Sequence, residues 1–111
     1  MIWVKVLSKQ ETEREDFLQM AKADGKKICV IKQHGKFFAV QNTCPHAGGL
    51  LSGGWCKEGK IICPIHRYEY DLISGRGAEG QGDYVDIYPT ELKEDGLYVG
   101  LKQSWFKKLF Y

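Results

Sequence analysis

Residues Thr43–Leu50 read TCPHAGGL, and residues Cys63–Tyr70 read CPIHRYEY. Each stretch holds a Cys-Pro pair with a histidine close behind. Cys44 and His46 are two apart, Cys63 and His66 are three apart, and sixteen residues separate His46 from Cys63. The chain has 111 residues, four cysteines and three histidines, so half of its cysteines and two of its histidines go to one pair of matching loops.

A thiolate and an imidazole from each of two loops form a metal-ligand set. Two thiolates and two imidazoles can surround a tetrahedral zinc ion. A Cys2His2 finger, however, takes both cysteines from one element and both histidines from the next, whereas here each loop supplies one of each. The same side chains suit a [2Fe–2S] centre in which one iron keeps two cysteines and the other takes two histidines. The third reading is ordinary buried Cys and His with no shared role. Two Cys-Pro-x-(x)-His units in so short a chain argue against it.

The rest of the composition narrows the classes. A chain of this length makes one domain, taken here as residues 1–111, with a modest core. Thirteen glycines against three prolines point to turns between strands. The net charge of +2 is too small to imply nucleic-acid binding. From Lys22 to Lys36 there are five lysines and one acid, and from Glu79 to Asp95 six acids and one lysine. Such blocks read first as solvated faces, and second as a charge-oriented docking surface. No stretch has the apolar length of a membrane span, and MIWVKVLSKQ has no signal-peptide pattern. The expected location is the cytoplasm, where thiols stay reduced and metal ligation is the better default for cysteine.

Ile2–Leu7 reads as a first strand. Ser8 and Glu11 have capping-box spacing, and Phe17, Leu18, Met20 and Ala21 then fall at helix-compatible intervals, predicting a short helix within Thr12–Ala23. Ile28–Lys32 and Phe37–Gln41 read as a hairpin with His34 and Gly35 in the turn. Cys29 lies inside its first strand as a small core residue. From about residue 42 to 77 the alternation gives way to glycines and the Cys/His pairs, apart from a short strand at Lys60–Cys63. Alternation returns at Val85, Ile87 and Leu92, and Gly96–Lys102 closes the series. The order is strands, a loop-rich insert, then strands.

The Cys-x-His, sixteen residues, Cys-x-x-His pattern resembles that of the Rieske iron–sulfur proteins. CPHAGG and CPIH agree with both loops of that family, and YDLISG (Tyr70–Gly75) is similar to the stretch that closes its second loop. The resemblance extends more loosely over about residues 1–102. It implies an all-β fold: an antiparallel β-sandwich with an inserted cluster-binding subdomain of two loops. It also implies one Rieske-type [2Fe–2S] cluster, with Cys44 and Cys63 on the inner iron and His46 and His66 on the outer. Pro45, Pro64, Gly48 and Gly49 would shape loops whose amides point at the sulfurs.

Departures from the family's branches refine the expectation. Respiratory and photosynthetic members carry an extra cysteine in each loop, joined as a disulfide; the matching positions here are Gly49 and Ile65. Oxygenase α-subunits need a second iron with two more histidines and a carboxylate, and only His34 is unassigned. The small nitrite-reductase subunits lack the ligands, and all four are present here. The chain looks most like a Rieske-type ferredoxin: a soluble electron carrier, not an enzyme, between a donor reductase and an acceptor such as an oxygenase. The alternative is a binding or regulatory module of the same fold with a structural or sensing metal centre. High-potential relatives have a serine and a tyrosine hydroxyl at positions that are Tyr68 and Tyr70 here, so Tyr70 is expected to donate to a cluster sulfur. The tail Ser104–Tyr111, SWFKKLFY, is aromatic and basic, which suits partner docking or packing against the sandwich.

Overall fold

The computed structural model describes residues 1–45 and 48–102. The tail Ser104–Tyr111 therefore lies outside the described residues. Among the described residues ten strands form three antiparallel sheets. The first sheet joins β1 (Ile2–Ser8), β10 (Gly96–Leu101) and β9 (Thr90–Lys93), so both ends of the described chain meet in one sheet. The second has the order β2 (Phe17–Ala23), β3 (Lys26–Gln33), β4 (Lys36–Gln41), β8 (Ile87–Tyr88). The third, β5 (Trp55–Lys57), β6 (Lys60–Ile62) and β7 (Glu69–Asp71), is inserted in sequence between β4 and β8.

The residues of β3 explain how the sheets stack. Ile28, Cys29, Val30 and Ile31 are all fully buried, because this strand has protein on both faces. Alternation sends Ile28 and Val30 to one core, shared with Leu7, Leu97, Val99 and Leu101 of the first sheet. It sends Cys29 and Ile31 to a second core, shared with Leu51, Ile61, Tyr70 and Leu72 around the insert. Cys44 and Cys63 belong to this second core.

The helix expected within Thr12–Ala23 is not formed. The capping box is present, with Ser8 N–H donating to Glu11 Oε1 at 2.9 Å and Glu11 N–H to Ser8 Oγ at 3.2 Å. It opens only a single turn, Lys9–Thr12. Phe17–Ala23 instead pairs along its whole length with β3, from Phe17↔Lys32 to Ala23↔Lys26. Asp24 and Gly25 make the connection, both at positive φ (52° and 83°), which is the geometry of a two-residue hairpin turn. His34 and Gly35 repeat it at 52° and 77° between β3 and β4, as the sequence predicts for that hairpin. The strand at Lys60 ends at Ile62, and its neighbours β5 and β7, three residues each, were not foreseen. Leu92 is half exposed rather than core-facing. No helix among the described residues is long and apolar enough to cross a membrane.

Candidate metal centre

The two Cys-Pro loops are closed in the same way. Cys44 N–H donates to the Gly49 carbonyl at 2.8 Å, and Cys63 N–H donates to the Tyr68 carbonyl at 2.7 Å, five residues on in each case. The first loop is anchored behind this closure by a Thr43↔Leu50 bridge and by buried Asn42. The Asn42 carbonyl accepts from Leu51 N–H at 2.7 Å, and its side chain accepts from Ser52 N–H at 3.1 Å. The second loop emerges from β6 and returns into β7. The Asp71 carboxylate then caps the following turn by accepting from Ile73 and Ser74 N–H at 2.8 and 2.9 Å, and those bonds hold it below the ordinary aspartate range. This explains the YDLISG stretch: its aspartate fixes the turn that follows the second loop.

The loops face one another. A Cβ added at Gly49 would stand 2.9 Å from Ile65 Cδ1 and 3.1 Å from Cys63 Sγ, so the second loop fills the place a side chain would take. Cys44 and Cys63 are buried (1% and 0% exposed), with their sulfurs close enough to hydrogen-bond. Burial pushes the Cys63 thiol upward, the Ile65 N–H directed at its sulfur pulls it down, and the Cys44 thiol pushes it up again. An amide aimed at a ligand sulfur stabilises added negative charge there.

His66 is exposed at the tip of its loop, with φ of 58°, and Arg67 follows at 57°. Two successive non-glycine residues in the left-handed region are costly unless the loop needs them; here they turn the chain so that Cys63 faces inward and His66 outward. The His66 and Tyr68 rings meet edge to face, with centroids 6.4 Å apart. His46 lies outside the described residues, and no cluster of three or more metal-binding side chains occurs among the described ones. Of the other cysteines, Cys29 is fully buried and Cys56 half-buried against the same core. Among the described residues no disulfide joins any of the cysteines. His34 sits in its turn, where the Asp16 carboxylate accepts from its N–H at 2.7 Å.

Beneath the sulfurs lies fully buried Tyr70, whose hydroxyl is 3.3 Å from Cys44 Sγ. The same hydroxyl donates to Asp83 Oδ2 at 2.8 Å. Asp83 was not foreseen from the sequence. It comes from a Gly-rich stretch thirteen residues on, in the acidic block, and no local pattern ties it to the loops.

A three-sheet β-protein with two matched Cys-Pro loops, buried adjacent thiols and an outward histidine has the donor set of an iron–sulfur protein with mixed ligands. A family model described as the Rieske [2Fe-2S] domain matches residues 2–89, and the chain belongs to that family. It is similar to the ferredoxin component of the naphthalene 1,2-dioxygenase system of Pseudomonas aeruginosa, at 27% identity over 100 residues covering 89% of this chain and 95% of that protein. The corresponding component from Pseudomonas putida is 24% identical over the same shares of the two chains. Among solved structures, the ferredoxin of carbazole 1,9a-dioxygenase from Nocardioides aromaticivorans IC177 superposes with a TM-score of 0.80 at 23% identity, over 92% of this chain and 100% of that one. A chain in the complex of reduced oxygenase and oxidized ferredoxin in carbazole 1,9a-dioxygenase gives 0.76 at 24% identity, over 91% and 98%. These two show a shared fold. The cofactor is one Rieske-type [2Fe–2S] cluster, and the protein is a one-electron carrier rather than an enzyme.

Proposed function

We propose that Cys44 and Cys63 hold the inner iron of the cluster and His46 and His66 the outer iron, and that the chain, acting as one domain, takes electrons from a reductase and gives them to an oxygenase. One observation carries this reading above the others: two loops closed by the same backbone bond bring Cys44 and Cys63 together in the core and turn His66 to the surface. When bound, the cluster accepts and returns a single electron. The chain's own residues keep the sulfurs dry, aim the Ile65 amide at one of them, and leave an imidazole edge where a partner can approach.

The surroundings of that edge suit a short-lived contact. Leu50 and Ile65, one on each loop, are 56% and 42% exposed, and Ile65 directly precedes His66, so the second loop presents an apolar side chain next to its imidazole. Small, weak interfaces let a carrier leave one partner for the next. The choice of a reductase as donor and an oxygenase as acceptor is supported by the dioxygenase-system relatives. A cytoplasmic location is consistent with free thiols at Cys29 and Cys56. Docking by the aromatic, basic tail Ser104–Tyr111 belongs to the same proposal.

Visible absorption of the purified protein during reduction by NADH and a ring-dioxygenase flavin reductase tests the function. Bleaching of a coloured protein by the reductase, followed by reoxidation with the matching oxygenase, is the expected result. A colourless protein containing zinc would overturn it.

A further inference from the structure

The Tyr70 hydroxyl has one proton and two acceptors in reach. Cys44 Sγ is at 3.3 Å and Asp83 Oδ2 at 2.8 Å. In the metal-free chain the Cys44 thiol can donate to the phenol oxygen while the phenol donates to the carboxylate, so every proton is used. A cysteine that ligates iron has lost its proton. The ligand sulfur and the carboxylate then compete for one O–H. The carboxylate oxygen is nearer, at 2.8 Å against 3.3 Å, and holds its charge on a small, hard acceptor, whereas a sulfur that ligates iron shares its charge with the metal, so the bond to Asp83 is the stronger.

We propose that Asp83 is a positioning residue that draws the Tyr70 hydroxyl proton away from the Cys44 sulfur and so keeps the potential of the centre low. The phenol then presents a lone pair, not a donor, to the ligand sulfur, and an arriving electron meets no stabilising bond from Tyr70. This revises the expectation that Tyr70 donates to the sulfur. The inference rests on Cys44 being a ligand.

Asp83 is held for this task. Its Oδ1 accepts from Gln81 Nε2 at 3.1 Å. The Gln81 carboxamide is itself fixed in orientation by β7, because Glu69 N–H donates to Gln81 Oε1 at 3.0 Å and Gln81 Nε2 donates to the Glu69 carbonyl at 3.2 Å. Gly77 N–H donates to the Asp83 carbonyl at 2.9 Å. A Cβ at Gly77 would stand 2.6 Å from Gln81 Nε2 and 2.7 Å from Asp83 Oδ1, so only glycine leaves the pair in place.

The Gln81 donor makes Asp83→Asn informative. The asparagine oxygen must face Gln81 Nε2, which turns its NH2 toward the phenol and frees the Tyr70 proton for Cys44. Protein-film voltammetry of the cluster-loaded wild type, Asp83→Asn, Tyr70→Phe and the double variant tests the proposal. The midpoint potential is expected to rise in Asp83→Asn, and to rise less when Tyr70 is also Phe. Removing the carboxylate charge alone would raise it equally in both backgrounds, and that result, or no rise, overturns the proposal. If Asp83→Asn does not load, Asp83→Ala with and without Tyr70→Phe gives the same comparison, with visible circular dichroism confirming an unchanged centre. Failure of the ligand assignment is separate: Cys44→Ala would then retain the cluster spectrum.

Discussion

Cys44 and Cys63 are separated from Cys29 and Cys56 by geometry, not by residue type. All four touch one core, but only Cys44 and Cys63 open Cys-Pro loops that carry a histidine. His66→Cys is therefore expected to change the visible and EPR spectra of the centre, whereas Cys29→Ser and Cys56→Ser leave them as in the wild type. Loss of the cluster in Cys56→Ser with no change in His66→Cys would reverse the assignment. That the two Cys-Pro loops belong together was legible in the sequence, because their spacing is local and repeated, and the structure sets them face to face. Asp83 was not legible: its meaning depends on a hydroxyl thirteen residues earlier, brought to it by folding of the Gly77–Gly82 turn region over β7. Tyr70 was legible as a hydroxyl near a sulfur, but the direction of its proton depends on that unseen carboxylate.

At the scale of elements, β3 serves two cores from alternate faces. Ile28 packs against the first sheet and Ile31 against the cluster loops. Truncating either to alanine should cost about 2–5 kcal/mol of stability by denaturant unfolding. The two should differ in the rate at which a chelator bleaches the cluster, because only Ile31→Ala loosens the core behind Cys44 and Cys63. Equal bleaching rates would mean that the two cores are not mechanically distinct. The elements also show where periodicity misleads. Phe17, Leu18, Met20 and Ala21 fit a helical face, but one strand-length of pairing with β3 and the Asp24–Gly25 turn outweigh the weak helix preference of a short charged segment. The Ala23-Asp-Gly-Lys26 sequence was the available signal for that hairpin. The three-residue strands β5 and β7 are too short to carry a period at all, and only their pairing across β6 defines them. The hairpin at His34–Gly35 and the last strand were readable because each combines alternation with a turn residue.

For the molecule as a whole, the buried thiols set a limit on alkaline stability. Burial, aided by nearby Cys56, pushes the Cys29 thiol from 9.0 up to about 12. The unfolded chain therefore releases this proton at lower pH than the folded one. The contribution to stability is full below pH 9 and is lost as pH rises toward 12, by at most about 1.4 kcal/mol per pH unit. Cys29→Ala should flatten the fall in unfolding temperature between pH 9 and 11, although the variant starts less stable at pH 7. An unchanged alkaline slope would show that other groups govern it. The whole fold follows from the same division of labour: two sheets make a stable sandwich, and the inserted third sheet holds the loops against it. The most direct measurement is electron spin echo modulation on the reduced protein. Couplings from two imidazole nitrogens are expected, assigned to His46 and His66, with one lost in His66→Cys. A reduced cluster without nitrogen coupling, or a protein with no paramagnetic reduced state, would contradict mixed ligation by the two loops.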